Sequence, residues 1–284
     1  MPEQHITHAF HPGQELPPYQ VVAYNYATAA ENRIHSDEIA AQYGFKGGLV
    51  PGVGVYAYMT GPVARLLGRA WLERGSMQGR FLKPVYDSEQ VTVRGVVTTP
   101  APLTISLDLF NSRDVLCATG EAKMPDELPP VDLADFPFMS APARAARLVP
   151  RVAALPAGFV MGTVERELRL AEIETGFLQD MRDPLPLYRG PAACLHPAFL
   201  PAEGNEMFMA NIDLGPWVHT DTFSRHYGLA RDGETIRLRG RVAASFVKGG
   251  HDFVTLDLVM TGAADRLIAH MRHTAIIHLR EDEP

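Results

Sequence analysis

From Gly52 onward, apolar side chains return every three or four residues, at Val55, Met59, Val63, Leu66, Leu67 and Trp71. That is the period of an α-helix. Arg65 and Arg69 share one side and the remaining faces are Ala, Tyr and Gly, so the helix is apolar around most of its circumference and has to be wrapped by other structure. Gly61-Pro62 lies inside it and predicts a kink or a break, because proline removes a helical hydrogen bond. Ahead of it, residues 19–27 (YQVVAYNYA) follow the Pro17-Pro18 breaker and read as a strand. Ser36, an N-cap type, precedes Asp37, Glu38 and an apolar face of Ile39, Ala40 and Tyr43, predicting a short helix up to Gly44. After the long helix come four strand patterns, at 77–85, 90–98, 103–110 and 115–124, divided by turn signals such as Asp87-Ser88 and Asn111-Ser112-Arg113-Asp114.

One strand, a long buried helix and four more antiparallel strands let a sheet curl around the helix, which is the hotdog arrangement, an α+β fold. Residues 126–156 then change character, with Pro129-Pro130, Pro137, Pro142 and a run of Ala and Arg. This stretch reads as a linker with one short helix near 141–148. Beyond it the first half recurs. Arg80, Asp87, Glu89, Arg94 and Gly95 return at a constant offset as Arg225, Asp232, Glu234, Arg239 and Gly240, and Ser106-Leu107-Asp108-Leu109 returns as Thr255-Leu256-Asp257-Leu258. Two tandem copies explain this better than chance. The expected organisation is a tandem double hotdog: an N-terminal hotdog over 1–125 that holds the site, the linker, and a degenerate C-terminal hotdog over 157–284. The second copy opens with a strand at 162–170 and a polar segment over 171–189, and its helix is expected near 192–211.

Composition narrows the partners. The chain has 284 residues, 46% apolar and 21% charged, with a formal net charge of −7. Scattered bases amid excess acid argue against nucleic acid. Apolar stretches are broken before a membrane-spanning length is reached. Cys117 and Cys194 lie in apolar runs without CxxC spacing and read as buried free thiols, which fits a cytoplasmic protein. His5, His8 and His11 have the spacing of a metal tract, but an unanchored terminus is more often frayed than functional. His219, His226, His251 and His273 fall on or beside different strands at no metal-ligand spacing. No metal or cofactor is expected.

The segment Glu31-Asn32-Arg33-Ile34-His35 places a carboxylate, a carboxamide and an imidazole together, and Gly44 to Gly52 then brings a glycine-rich turn to the start of the buried helix. Such groups can bind an acyl carbonyl and move a proton beside it. His35 is the expected acid or base. The Gly52 amide, at the helix N-terminus, is the expected donor to a thioester oxygen. Asn32 is expected to orient His35. Glu31 is the one nearby carboxylate, read either as catalytic or as a solvated partner of Arg33. Val53, Tyr56 and Tyr26 are expected to line the substrate site.

At Asn32-Arg33-Ile34-His35, Gly44-Phe45, Pro51-Gly52 and Arg80-Phe81-Leu82-Lys83-Pro84-Val85-Tyr86 the chain resembles the MaoC-like hydratases and dehydratases, hotdog enzymes acting on acyl thioesters. The resemblance extends to the second half through Arg272-His273-Thr274-Ala275-Ile276. The family pattern Gly-Asp-x-Asn-Pro-(Leu/Ile)-His is met here by residues 29–35, with Asn32 and His35 retained and Ala30 where the catalytic Asp belongs. Pro51 stands where the family usually has a His before the helix-opening Gly, and Gly52 is kept. The resemblance implies an enoyl or 3-hydroxyacyl thioester of coenzyme A or a carrier protein as substrate, and a hydro-lyase reaction. Three alternatives keep the fold but change the chemistry: thioester hydrolysis, isomerisation or cyclisation. A non-catalytic acyl-binding subunit is a further reading. Both a monomer with an internal pseudo-dimer and a homodimer of such chains are open.

Overall fold

The computed structural model describes residues 10–280, so His5 and His8 lie outside the described residues. Ten strands form one antiparallel sheet. In chain order they are β1 (Tyr19–Val22), β2 (Ser76–Phe81), β3 (Gln90–Pro100), β4 (Leu103–Phe110), β5 (Leu116–Met124), β6 (Val164–Glu167), β7 (Val218–His226), β8 (Thr235–Lys248), β9 (His251–Thr261) and β10 (Leu267–His278). Their order across the sheet is β1-β3-β4-β5-β2-β7-β10-β9-β8-β6, which reads the same from either end once each strand is matched to its repeat. The sequence repeat is thus a pseudo-twofold axis passing between β2 and β7. Ser76 pairs with Arg225, Gly79 with Thr222 and Arg80 with Asp221 along that seam.

Each half-sheet wraps a helix. The helix α2 (Gly52–Arg74) follows the short α1 (Asp37–Gln42) and is buried along most of its length. It packs with Val91, Val93, Ile105, Leu107 and Leu109 in the first core. In the second half, α3 (Leu170–Thr175) and α4 (Phe177–Met181) precede the central α5 (Phe199–Asn211). Phe208 of α5 packs with Leu238, Val254 and Leu256 in a second core, and Phe177 packs against both cores.

Several elements end earlier than their patterns predict, for local reasons. β1 stops at Val22 because, beyond the Ala23 N–H that still reaches the Glu89 carbonyl, backbone N–H groups go to side chains: Tyr24 N–H donates to the Tyr58 hydroxyl at 3.0 Å, Asn25 N–H to Asp87 Oδ1 at 2.8 Å and Ala27 N–H to Asn25 Oδ1 at 3.2 Å. β2 stops at Phe81, where the Leu82 and Lys83 N–H groups both donate to the Cys117 carbonyl in a bulge, ahead of Pro84. α5 begins at Phe199, after Pro197. The short helix expected in the linker is only a 3-10 turn, Arg144–Ala146. Ser36 does sit at the N-cap of α1, but its hydroxyl donates to the Arg33 carbonyl at 2.9 Å and caps nothing.

The break expected at Gly61-Pro62 falls elsewhere. Pro62 is accommodated inside α2, while Gly68 leaves helical geometry at φ 56°, ψ −141°, a region that only glycine holds cheaply. A Cβ at Gly68 would meet no atom within 4 Å, so backbone strain alone decides the cost of adding one. Gly68→Ala is expected to destabilise the fold by about 1–3 kcal/mol in chemical denaturation. Gly215→Ala, equally uncrowded and free of positive φ, should change stability by under about 1 kcal/mol.

Candidate functional site

The segment from Asn32 to Gly52 is held from both halves of the chain. Asn32 caps a 3-10 turn, Arg33–His35, by accepting the Ile34 N–H on its Oδ1. The same carboxamide clamps a residue 185 positions away: its Nδ2 donates to the Trp217 carbonyl at 2.9 Å, and the Trp217 N–H donates to its Oδ1 at 3.2 Å. Ile34 and Leu49 pack against Leu279. Gly48 lies so close to the His35 carbonyl that no Cβ fits there, and Asn25 Nδ2 donates to that carbonyl at 2.8 Å.

These contacts fix the tautomer of His35. Its Nδ1 lies 2.8 Å from the Leu49 carbonyl oxygen, which can only accept, so Nδ1 carries the proton. Nε2 therefore keeps its lone pair, and the Asn32 Nδ2 approaches it at 3.4 Å. Burial pushes the His35 pKa below its ordinary value, partly opposed by the Leu49 hydrogen bond, and the ring is neutral at pH 7.

His35 stands where two cavities meet. The first, about 230 Å³, is lined by Val50, Gly52, Val55, Phe81, Lys83 and His219, among others. The second, about 540 Å³, is lined by Tyr26, Val53, Arg147, Glu206 and Met209, among others. Asn32, His35, Pro51, Asn205 and Trp217 border both. Gly52 is the first residue of α2, after Pro51, whose side chain caps nothing. The first N–H groups of a helix have no intrahelical acceptor and carry its positive dipole end. The position can therefore receive an oxygen that gains negative charge.

His35, Asn32 and Gly52 are thus brought together, with Val53 and Tyr26 on the wall of the larger cavity. Two of the expected site residues fall elsewhere. Tyr56 lines neither cavity: it is fully buried behind the seam, its hydroxyl 2.6 Å from Ser224 Oγ. Glu31 is at the rim of the larger cavity, but its side chain is 70% exposed and pairs with Arg144 at 3.4 Å rather than with Arg33. Next to it, Ala30 offers no functional group. Sequence reasoning missed Asn205, Trp217 and His219, all from the second half. His219 had been seen only as one of four scattered histidines, and His273 among them turns out to be its neighbour, with ring centroids 4.2 Å apart. Among the described residues, no group of three His, Cys, Asp or Glu side chains is placed to hold a metal, and no helix is long and apolar enough to cross a membrane.

No family model and no curated protein matches the sequence. Solved structures match its shape along nearly the whole chain. A Chloroflexus aurantiacus protein described as a MaoC domain dehydratase superposes with a TM-score of 0.62 at 11% identity, covering 95% of this chain and 96% of its own. A conserved hypothetical protein of Mycobacterium tuberculosis, described as having a double hotdog fold, gives 0.60 at 16% identity over 94% of this chain and 96% of its own. A Lactobacillus plantarum protein described as an oleoyl thioesterase gives 0.53 at 10% identity, over 94% and 98%. The chain is a double hotdog, similar in fold to MaoC-like dehydratases.

Two outcomes follow from the hydrogen bonds and buried imidazoles of this region. Asn32→Ala strands the Trp217 backbone groups in a buried place, and denaturation should show a loss of about 1–3 kcal/mol. Burial also holds His219 at about 3 and His226 at about 4, both from 6.5. Below pH 6.5 the unfolded chain takes up protons that the folded chain refuses, so folding stability falls as pH drops toward 4. The slope is at most about 1.4 kcal/mol per pH unit for each group. Buried Glu203, raised from 4.5 to about 7, works the other way over 4.5–7. The decline should therefore steepen below about pH 4.5 in urea titrations run at several pH values, and His226→Gln should flatten it.

Proposed function

We propose that this protein is a hydro-lyase for acyl thioesters, adding water to an enoyl thioester or removing it from a 3-hydroxyacyl thioester. The observation that carries this reading is the tautomer of His35: a neutral ring with its basic Nε2 unprotonated, met only by the long 3.4 Å approach of Asn32, at the junction of two cavities and beside the N-terminus of α2. In the dehydration direction, Nε2 takes the proton from the carbon next to the thioester carbonyl and passes it to the departing β-hydroxyl, which leaves as water as the C–O bond breaks. The negative charge then developing on the carbonyl oxygen is stabilised by the Gly52 amide and the helix dipole. In the hydration direction Nε2 takes a proton from the water as its oxygen bonds to the β-carbon, and delivers that proton to the carbon next to the carbonyl. Asn32 keeps the imidazole in place and gives the loop its attachment to the second half. The unequal cavities suit a thioester with an acyl chain on one side and a pantetheine arm on the other. Lys83 and Arg147 offer cations to phosphate groups of the carrier.

A second reading is thioester hydrolysis. Its support is Ala30, which leaves the site without the carboxylate expected of a MaoC-like hydratase, together with the fold likeness to the protein described as an oleoyl thioesterase. The two reactions differ in product. A mass change of one water with the thioester intact marks the first, and a free thiol marks the second.

His35→Ala should reduce kcat on enoyl and 3-hydroxyacyl thioesters by about 100-fold or more and leave the circular dichroism spectrum unchanged. Glu31→Gln should leave kcat within about threefold, since that carboxylate faces solvent. In the wild type, kcat/KM should rise with pH to a plateau, with its midpoint below the ordinary histidine value of 6.5, because His35 must be neutral to accept the proton and its pKa is lowered. Full activity in His35→Ala would remove the assignment.

A further inference from the structure

One buried polar atom in the wall of the first cavity is left without a partner. His219 sits near the start of β7, 6% exposed, and its Nδ1 has no hydrogen-bond partner. A methyl group built on Gly52 would lie 2.7 Å from that nitrogen, so the ring nitrogen looks directly onto the first turn of α2. The rest of the ring is packed. Phe81 meets it edge-on at a centroid distance of 4.8 Å, and His273 lies behind it.

A buried relay decides what Nδ1 can do. His273 Nε2 lies 2.8 Å from Asn205 Oδ1, an acceptor, and so carries a proton. His273 Nδ1 is then a lone pair and accepts the Thr222 hydroxyl at 2.7 Å. With its hydrogen committed, Thr222 Oγ1 accepts from His219 Nε2 at 2.6 Å. His219 therefore carries its proton on Nε2, and Nδ1 is a bare acceptor. Thr222 and His273 are fully buried, so water does not compete along the relay. Burial also keeps both imidazoles neutral. A buried acceptor without a donor is costly, and a site containing one discriminates strongly for ligands that bring the missing hydrogen.

Building on the hydro-lyase reading, we propose that His219 Nδ1 accepts a hydrogen bond from the hydroxyl of a 3-hydroxyacyl thioester, and equally from the water to be added. This makes His219 the residue that specifies a hydroxylated acyl chain over a saturated one. The thioester oxygen and the hydroxyl then have separate partners: the helix N–H donates to the first, and the second donates to the imidazole. Thr222, His273 and Asn205 act through His219 as positioning residues that hold its tautomer.

Binding tests this without turnover. In a His35→Ala background, affinities are measured by calorimetry for saturated and 3-hydroxyacyl CoA thioesters of equal chain length, from four to eight carbons. At least one 3-hydroxyacyl ligand should bind ten times or more tightly than its saturated counterpart. Adding His219→Leu should erase the preference by weakening only the hydroxylated ligand, and Thr222→Val, which releases the tautomer, should reduce it several-fold. In the wild type, 15N NMR of the histidine side chains should show His219 Nδ1 unprotonated, and its resonance should shift with the 3-hydroxyacyl ligand but not with the saturated one. That measurement serves where a variant fails to fold. Equal affinities before substitution, a preference that survives His219→Leu, or a protonated Nδ1 would each overturn the proposal. Catalysed hydration that depends on His35 but shows no such preference removes this inference and leaves the hydro-lyase reading standing. A preference that depends on His219 without any hydration or dehydration does the reverse.

Discussion

The antiparallel pairing of β2 with β7 is the contact on which everything else in this molecule depends. It joins two five-stranded halves into one sheet, and the ladder is reinforced by side chains: Arg80 and Gln78 both donate to Asp221 at 3.1 Å, and Tyr56 meets Ser224 behind it. The same register decides where the start of β7 lands. With Arg80 opposite Asp221, the residues just before it, Trp217 to Thr220, lie over the N-terminus of α2 and complete the first cavity. A slip of one residue would turn each β7 side chain to the other face. His219 would leave the cavity and Trp217 would lose its place on Asn32.

The two halves share a fold and not a site. In the first, the segment before the helix keeps an open junction around His35. In the second, the corresponding region is filled: His196 precedes α5 with 1% exposure and lies 3.5 Å from Asp183, which is itself 3.0 Å from Arg65 of α2. Tyr188 packs on His196 with ring centroids 4.4 Å apart and the planes tilted by 57°. An Asp and a His thus stand near the second helix, yet they are spent on packing α4 and α5 against α2. The first half contributes the His35 segment, and the second contributes the facing wall.

Much of this could be read from the chain before any coordinates. The apolar period of α2, the alternating strands and the recurrence of Arg80, Asp87 and Glu89 as Arg225, Asp232 and Glu234 all report local geometry or its duplication, and both are written in consecutive residues. Asn32, His35 and Gly52 lie within one continuous stretch, so their meeting could be anticipated. Element ends were harder, because they depend on particular captures such as Asn25 on Asp87 or the double use of the Cys117 carbonyl. The second-half part of the site was out of reach. Nothing in the spacing of His219, Thr222, His273 and Asn205 says that a helix, two strands and the N-terminus of a distant helix converge, since that convergence follows from pairing across the pseudo-twofold axis. The surface position of Glu31 follows from the same fact: its partner, Arg144, belongs to the linker.

Ala30 brings no carboxylate to the segment that ends in His35, and this has an electrostatic consequence. An ionised Asp beside His35 would hold the imidazole protonated and would set a negative charge facing the N-terminus of α2. The lining of the first cavity contains no Asp or Glu. His35 and His219 are accordingly both neutral, held so by burial, and the cavity carries no formal charge apart from Lys83 at its rim. A neutral thioester then enters without displacing a counter-ion. The positive end of the α2 dipole faces no Asp or Glu in the lining of this cavity, so in the proposed reaction it is left to act on the thioester oxygen as negative charge develops there. In the proposed reaction one nitrogen suffices for the proton, since His35 Nε2 can carry it between carbon and the leaving or entering water, while the bare His219 Nδ1 accepts a hydrogen bond from the hydroxyl and fixes its place.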